Sequence, residues 1–219
     1  MALLMCAKSP KRFLKTLKPK LIAIVGGSGS GKTWLAGQLQ KRFGEKAARL
    51  SLDDFYRDLS HLSPKRRCKI NFDHPRAIDW KNLERVLGEM AAGRPAETPR
   101  YDFATHARLA KGKFVKPKPL IIIDGLWLLR RRAVRRFFSC RVFINCPRSV
   151  CLRRRIGRDV VERGRDAASV RQQFLEQVVP MHERFVAPQL RWASFVLKEA
   201  NADEAARLGA EMEKLLTST

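Results

Sequence analysis

Residues 26–33 read Gly26-Gly27-Ser28-Gly29-Ser30-Gly31-Lys32-Thr33 and match the pattern G-x-x-x-x-G-K-[ST]. The flanks decide what the match means. Residues 21–25 (LIAIV) form a short apolar, β-branched run, which predicts a buried strand. Residues 33–43 place Leu35, Leu39 and Phe43 on one helical face. A strand, a glycine turn and a helix N-terminus in that order wrap backbone N–H groups round a phosphate, and the helix adds a partial positive charge. In such a cradle Lys32 reaches the terminal phosphates of a nucleoside triphosphate and the Thr33 hydroxyl ligates Mg²⁺. A flexible Gly/Ser turn would need neither flank.

The rest of the chain alternates. Apolar strands are predicted at 48–52, 120–123, 141–145 and 195–197, and helices at 83–90, 150–163, 167–179 and 202–216. Residues 57–80 read as irregular around Pro64, Asn71 and Pro75, and 99–108 as an extended or loop segment. Strands alternating with helices imply an α/β fold, a doubly wound parallel sheet. With roughly 150 residues per domain as a prior, 219 residues make one domain with at most an appended lobe. No internal repeat is present. The longest apolar runs fall far short of the roughly 20 residues of a membrane span, so a soluble chain with no membrane partner is expected.

The net charge is +24, from 45 Lys plus Arg against 21 Asp plus Glu. Such a surplus attracts polyanions, and nucleic acid is the plainest of them. Its distribution argues otherwise. Residues 130–171 hold 14 Arg, no Lys and three acids: Asp159, Glu162 and Asp166. Arginine without lysine suits forked, bidentate phosphate recognition rather than diffuse attraction. Nucleic acid is therefore the less favoured partner, though the charge does not exclude it. Five cysteines (Cys6, Cys68, Cys140, Cys146, Cys151) form no Cys-x-x-Cys pair and leave an odd one, against both a zinc site and a disulfide framework; a reducing cytoplasm is the simplest compartment. Residues 1–20 are basic, with an apolar stretch too short for a secretory core, and are expected to be an N-terminal extension rather than a cleaved leader.

Acids stand at two predicted strand ends. Asp124 follows 120–123 and can hold a metal through its water shell; Gly125 then stands where many phosphate-loop ATPases carry a water-activating Glu. That weakens a hydrolase reading, because a kinase needs an acid beside the acceptor hydroxyl instead. Asp53 and Asp54 leave the second strand into the crevice that holds the phosphate loop. Either could take the acceptor proton, and either could equally be a helix N-cap. The segments 71–75 (NFDHP) and 100–108 (RYDFATHAR) mix aromatic and polar residues, as pockets for a base and a sugar do, but solvated loops do so too.

Together GGSGSGKT, SLDDFYR, NFDHP and YDFATHAR, followed by RRRIGRDVVERGRD at 153–166 and more weakly VVPMHERFVAP at 178–188, resemble the uridine kinase (uridine–cytidine kinase) family of P-loop kinases over about residues 20–197. Related kinases acting on ribulose phosphate or pantothenate share the phosphate loop but not this combination. The resemblance implies a P-loop NTPase fold at 21–219 with a small β-hairpin lobe, an acceptor lobe at about 57–115 and an Arg-rich helical lid at about 150–170. It implies an ATP- or GTP-dependent kinase acting with Mg²⁺ on the 5′-hydroxyl of uridine or cytidine. Residues 26–33 would bind the nucleotide. Asp53 would be the catalytic acid, Lys32, Arg155 and Arg158 would act on the phosphates, and Thr33 and Asp124 would face the metal. Tyr56, Phe72, Asp73, Tyr101, Phe103, His106, Arg163 and Gln173 would bind the nucleoside, with Asp73 on the ribose and His106 on the base edge. It also suggests a homo-oligomer.

The sequence departs from the family at Asp124, where many members carry Glu, at 193–194 and at 198–201. Residues 130–136 have no role the resemblance supplies. Two rivals stay open: a kinase of another small hydroxylated metabolite, such as a sugar phosphate or vitamin precursor, and a nucleic-acid-stimulated NTPase. A degenerate kinase serving as a binding module fits poorly with intact Lys32, Thr33 and Asp53.

Overall fold

Five parallel strands form the frame of the computed structural model, which describes residues 18–67, 70–103 and 105–217. Most of the basic N-terminal extension, together with Cys6 and Cys68, lies outside the described residues. The strands are β1 (Lys20–Gly26), β2 (Ala47–Ser51), β7 (Leu120–Gly125), β8 (Phe138–Ile144) and β9 (Phe195–Leu197), in the order β2-β7-β1-β8-β9. β1 and β7 are buried along almost their whole length, as central parallel strands must be.

Alternation along the strands feeds two cores. Leu21, Ala23 and Val25 of β1 and Ile121 and Ile123 of β7 join the face covered by α3 (Trp80–Ala91), with Trp80, Leu83, Val86, Leu87 and Met90. Ile22, Ile24, Leu120 and Ile122 join the opposite face, under α1 (Lys32–Phe43) and the C-terminal α8 (Ala202–Thr217). The sheet is doubly wound, as the alternating sequence implies. β8 carries one irregularity: Leu21 pairs with Phe138 but Ile22 with Cys140, so Ser139 is an extra residue. That bulge turns Phe138 into the α3 core while Cys140, Val142 and Ile144 face the other.

The segment at 57–80 holds the short α2 (Pro64–Arg67), and the lobe beyond α3 is two nested hairpins. β3 (Ala96–Thr98) pairs with β6 (Lys113–Val115), and β4 (Tyr101–Asp102) with β5 (Ala107–Arg108), all antiparallel. The outer pair was not legible as strands. Arg108 ties this lobe to the sheet: its guanidinium donates to the Tyr56 carbonyl (2.7 Å) and to Asp79 (3.1 Å).

After β7 come the single-turn α4 (Arg132–Arg135), then α5 (Arg148–Arg163) and α6 (Ala167–Gln173). Gly164, in the left-handed region at φ 60°, ends α5 and re-aims the chain. The expected helix at 167–179 does not stop at Pro180. It runs without a break to Trp192 through two π-helical segments on either side of α7 (Val179–Met181) and a final 3₁₀ stretch. Proline lacks an N–H and its ring would strike the carbonyl four residues back; widening the preceding turn, where Val179 N–H bonds the Phe174 carbonyl, removes the clash. Gln189, buried inside this run, accepts from Leu129 N–H (2.9 Å) and donates to the Leu126 carbonyl (2.7 Å).

Candidate active site

Gly29 and Gly31 sit at φ 80° and 93°, a conformation side chains resist. A Cβ on Gly29 would fall 2.3 Å from the Cys151 carbonyl oxygen of α5, and one on Gly27 2.9 Å from His182 Nδ1. The phosphate loop is thus walled by the lid helix and by the π-helical run, and glycine is the residue that fits. Gly26 lies beneath, with Ile144 against it, and Ser30 is buried with no partner for its hydroxyl. Lys32 Nζ donates to the Gly27 carbonyl (2.7 Å), folded back over the loop. Burial pulls its pKa below the lysine range, against the pull of Asp53 and Asp124.

Asp124 leaves β7 with Thr33 Oγ1 donating to one carboxylate oxygen (2.9 Å) and the Arg49 guanidinium to the other (3.2 Å from both Nε and Nη2). The Arg49 partner gives no sequence signal, since it comes from β2 across the sheet edge. Gly125 is fixed by packing, because a Cβ there would lie 2.3 Å from Leu52 Cβ. Gly125→Ala is expected to lower stability by about 1–3 kcal/mol, read as a lower urea midpoint at unchanged m-value. An unchanged midpoint would mean the turn yields freely.

One open cleft of about 1310 Å³ joins the loop to the segments at 71–75 and 100–108. Ser28, Gly29, Gly31, Lys32 and Thr33 line it on one side, with Asp53 and Asp124 at the sheet's edge. Tyr56, Phe72, Asp73, Tyr101, Phe103 and His106 line the other. Asp54 is not part of its wall. Asp53 is half-buried after β2, its N–H capped by Ser51 Oγ (3.3 Å). Burial pushes its carboxyl up to about 6, Lys32 opposing and Asp124 and Asp54 adding.

The aromatic side chains pack on one another. Tyr56 meets Tyr101 (centroids 5.1 Å) and Phe72 edge-on (5.4 Å), and its hydroxyl donates to the Phe72 carbonyl (3.2 Å). Phe72 and His106 stack at 4.6 Å and 11°. His106 takes φ 51°, unusual for a non-glycine residue and a mark of strain at the hairpin tip. Burial, then Arg163 and Arg67, lower its pKa below the histidine range, so the ring is neutral at pH 7.

The lid is organised by one acid. Asp159 on α5 is fully buried and its carboxylate meets Arg158 (2.8 Å), Arg163 (3.4 Å), Arg165 (3.4 Å) and Arg155 (3.5 Å). Arg155, itself buried, also donates to Ser28 Oγ (3.0 Å) and faces Asp73 at 3.8 Å, linking loop, lid and acceptor wall. Burial raises Asp73 and Arg155 opposes it. Gln173 lines the cleft, but its amide oxygen is taken by Arg155 (3.1 Å) and Arg165 (2.8 Å), which leaves its NH₂ free to face the cleft. Arg163 lies over Phe103 (5.7 Å). Trp34, Asp102, Arg154, Glu162 and Arg165 also line the cleft and were not singled out. Trp34 could have been: it is a large aromatic outside the apolar stripe of α1.

A parallel sheet ending in a phosphate loop, a carboxylate and an arginine lid over one cleft define a P-loop kinase. The model of the phosphoribulokinase/uridine kinase family matches residues 21–205. A uridine kinase from Chloroflexus aurantiacus is 38% identical over 179 residues, 81% of this chain and 86% of its own. A uridine kinase from Halobacterium salinarum is 36% identical over 203 residues, 93% and 90% of the two chains. The phosphoribulokinase structure from Rhodobacter spheroides shares the fold at TM-score 0.56, with 18% identity over 81% of this chain and 69% of that one. The chain belongs to the phosphoribulokinase/uridine kinase family.

Proposed function

We propose that this protein transfers the γ-phosphate of ATP or GTP to the 5′-hydroxyl of uridine or cytidine, giving UMP or CMP in the cytoplasm. The observation that carries the reading is the shared cleft: Asp53 and the phosphate loop open onto the same space as Phe72, Asp73, Tyr101 and His106. The relatives named uridine kinase support it.

The donor's phosphates lie in the loop, against its N–H groups and Lys32. Thr33 and Asp124 offer hard oxygen donors suited to Mg²⁺. Phosphate oxygens and water would complete its shell. When bound, Mg²⁺ neutralises charge on the transferring group. On this reading Asp73 takes the ribose hydroxyls and the neutral His106 ring the base edge. Asp53 orients the 5′-hydroxyl and takes its proton as the bond to the γ-phosphorus forms and the bond to the β-phosphate oxygen breaks. Arg155 and Arg158 stabilise the spread negative charge, and lid closure keeps water from the acceptor's place.

The test is ADP release with ATP and Mg²⁺ against uridine, cytidine, adenosine, ribose, pantothenate and ribulose 5-phosphate. Stimulation by the pyrimidine nucleosides alone, with a monophosphate as product, is the expected result; stimulation by another acceptor overturns the reading and names the replacement. His106→Ala is expected to raise KM for uridine about tenfold while kcat changes less, the size of one lost buried polar contact. An unchanged KM would remove His106 from the pocket.

A further inference from the structure

Between β7 and the end of the helical run, Arg130, Arg131, Arg132, Arg135, Arg141, Arg184 and Arg191 form no ion pair with a carboxylate among the described residues. Arg130, Arg131, Arg132 and Arg135 lie in the β7–β8 connection, Arg141 on β8, and Arg184 and Arg191 in the second half of the helical run. Most are laid over aromatic rings. Arg135 and Arg191 cover Trp192 at 4.0 and 4.1 Å, Arg130 and Arg184 cover Phe185 at 4.7 and 5.2 Å, and Arg131 covers Trp80 at 4.9 Å. Burial, then Arg141, Arg132 and Arg191, hold Arg135 below the arginine range, so these cations crowd one another. Arg141 Nε is buried without a hydrogen-bond partner. Of the neighbouring acids, Glu84 is taken by Arg136 and Glu183 by Arg148.

Crowding uncompensated cations is unfavourable unless a polyanion covers them. Aromatic rings that hold guanidiniums in place lower the entropy lost when those groups bind phosphate. Each exposed guanidinium also keeps an outer face on which an unpaired base can stack. A second copy meeting this face with its own same face would set like charge against like charge across the contact. We propose that this arginine–aromatic face binds single-stranded RNA, through its phosphates and by stacking of unpaired bases, apart from the catalytic cleft.

Fluorescence anisotropy of the full chain with labelled single-stranded RNA of about 20 nucleotides tests it. The wild type is expected to bind, with log K falling linearly with log salt at about 0.7 per phosphate engaged. The triple variant Arg131→Gln, Arg184→Gln, Arg191→Gln is expected to bind at least tenfold more weakly, with a salt slope lower by about 2, while ATP affinity is unchanged. Lysine at the same three positions keeps the charge and loses the stacking; an affinity between the two supports the built array. Duplex RNA and inorganic polyphosphate are expected to compete poorly, since neither offers unpaired bases. No binding by the wild type, full binding by the triple glutamine variant, or equal competition by polyphosphate overturns the proposal. So does a change of sedimentation coefficient in the triple variant without any change in RNA affinity, which assigns the face to a subunit contact. Because binding is read without nucleoside, the result is independent of the acceptor assignment.

Discussion

Asp53→Asn is expected to lower turnover by about 10²- to 10⁴-fold while leaving ATP affinity within a few-fold of wild type. Asparagine keeps the shape and the cap from Ser51 but cannot take a proton. The same side chain sets a pH signature. Its folded-state carboxyl lies at about 6, above its ordinary value of 3.8. Rate under kcat/KM conditions should therefore rise with pH through about 6 as the base ionises, and then level. Stability runs the other way. A carboxyl raised on folding stabilises the fold fully below its unfolded value and loses that contribution as pH climbs through the folded one. Between pH 3.8 and about 6 the wild type should lose roughly 2 kcal/mol relative to Asp53→Asn, measured as the difference in Tm across a pH series. A variant with wild-type turnover, or a stability difference flat in pH, would remove Asp53 from the reacting centre.

The second large effect is expected at Asp159. Removing one partner from a buried ionic network leaves uncompensated charge, at a cost of about 3–5 kcal/mol. Here Asp159→Ala strands four guanidiniums on a lid whose geometry depends on that carboxylate. Arg155 would lose the anchor that holds it beside Ser28 and Asp73. Turnover should fall about 10²-fold, with the urea midpoint lowered, although Asp159 is not among the residues lining the cleft. Asp159→Asn keeps the volume and hydrogen-bonding capacity but not the charge, so the gap between the two variants separates electrostatic organisation from packing. Wild-type kcat in both would show the lid arginines to be placed by other contacts.

The frame was legible because its signals are local. Glycines at 26–31 flanked by an apolar strand and a helical stripe point to one arrangement, and the short apolar runs within 120–123 and 141–145 read as buried strands. What escaped depends on contacts between distant segments. Asp159 looked like one of three acids in a basic stretch; only the fold of α5 onto α6 brings four arginines to it. Arg49 gave no sign of reaching Asp124, because register between β2 and β7 decides that pairing. The run to Trp192 was cut short at Pro180, since proline ordinarily ends a helix and nothing local announces a π turn. The choice between Asp53 and Asp54 rested on resemblance; in the structure Asp53 lines the cleft and Asp54 does not.

That unbroken run has a mechanical meaning. Gln173 at its head holds lid arginines, His182 in its middle abuts Gly27, and Gln189 near its foot is bonded to Leu126 and Leu129 just beyond β7. It is a rod clamped at its middle and its base. Any closure of the lid would then be confined to the free end, about the Gly164 joint, with the base in step with the sheet. Hydrogen exchange on adding ATP should slow at 148–173 and hardly change at 182–192. Closure on the proposed reading would pivot on that fixed post, and the distance travelled would be set by where the post is anchored.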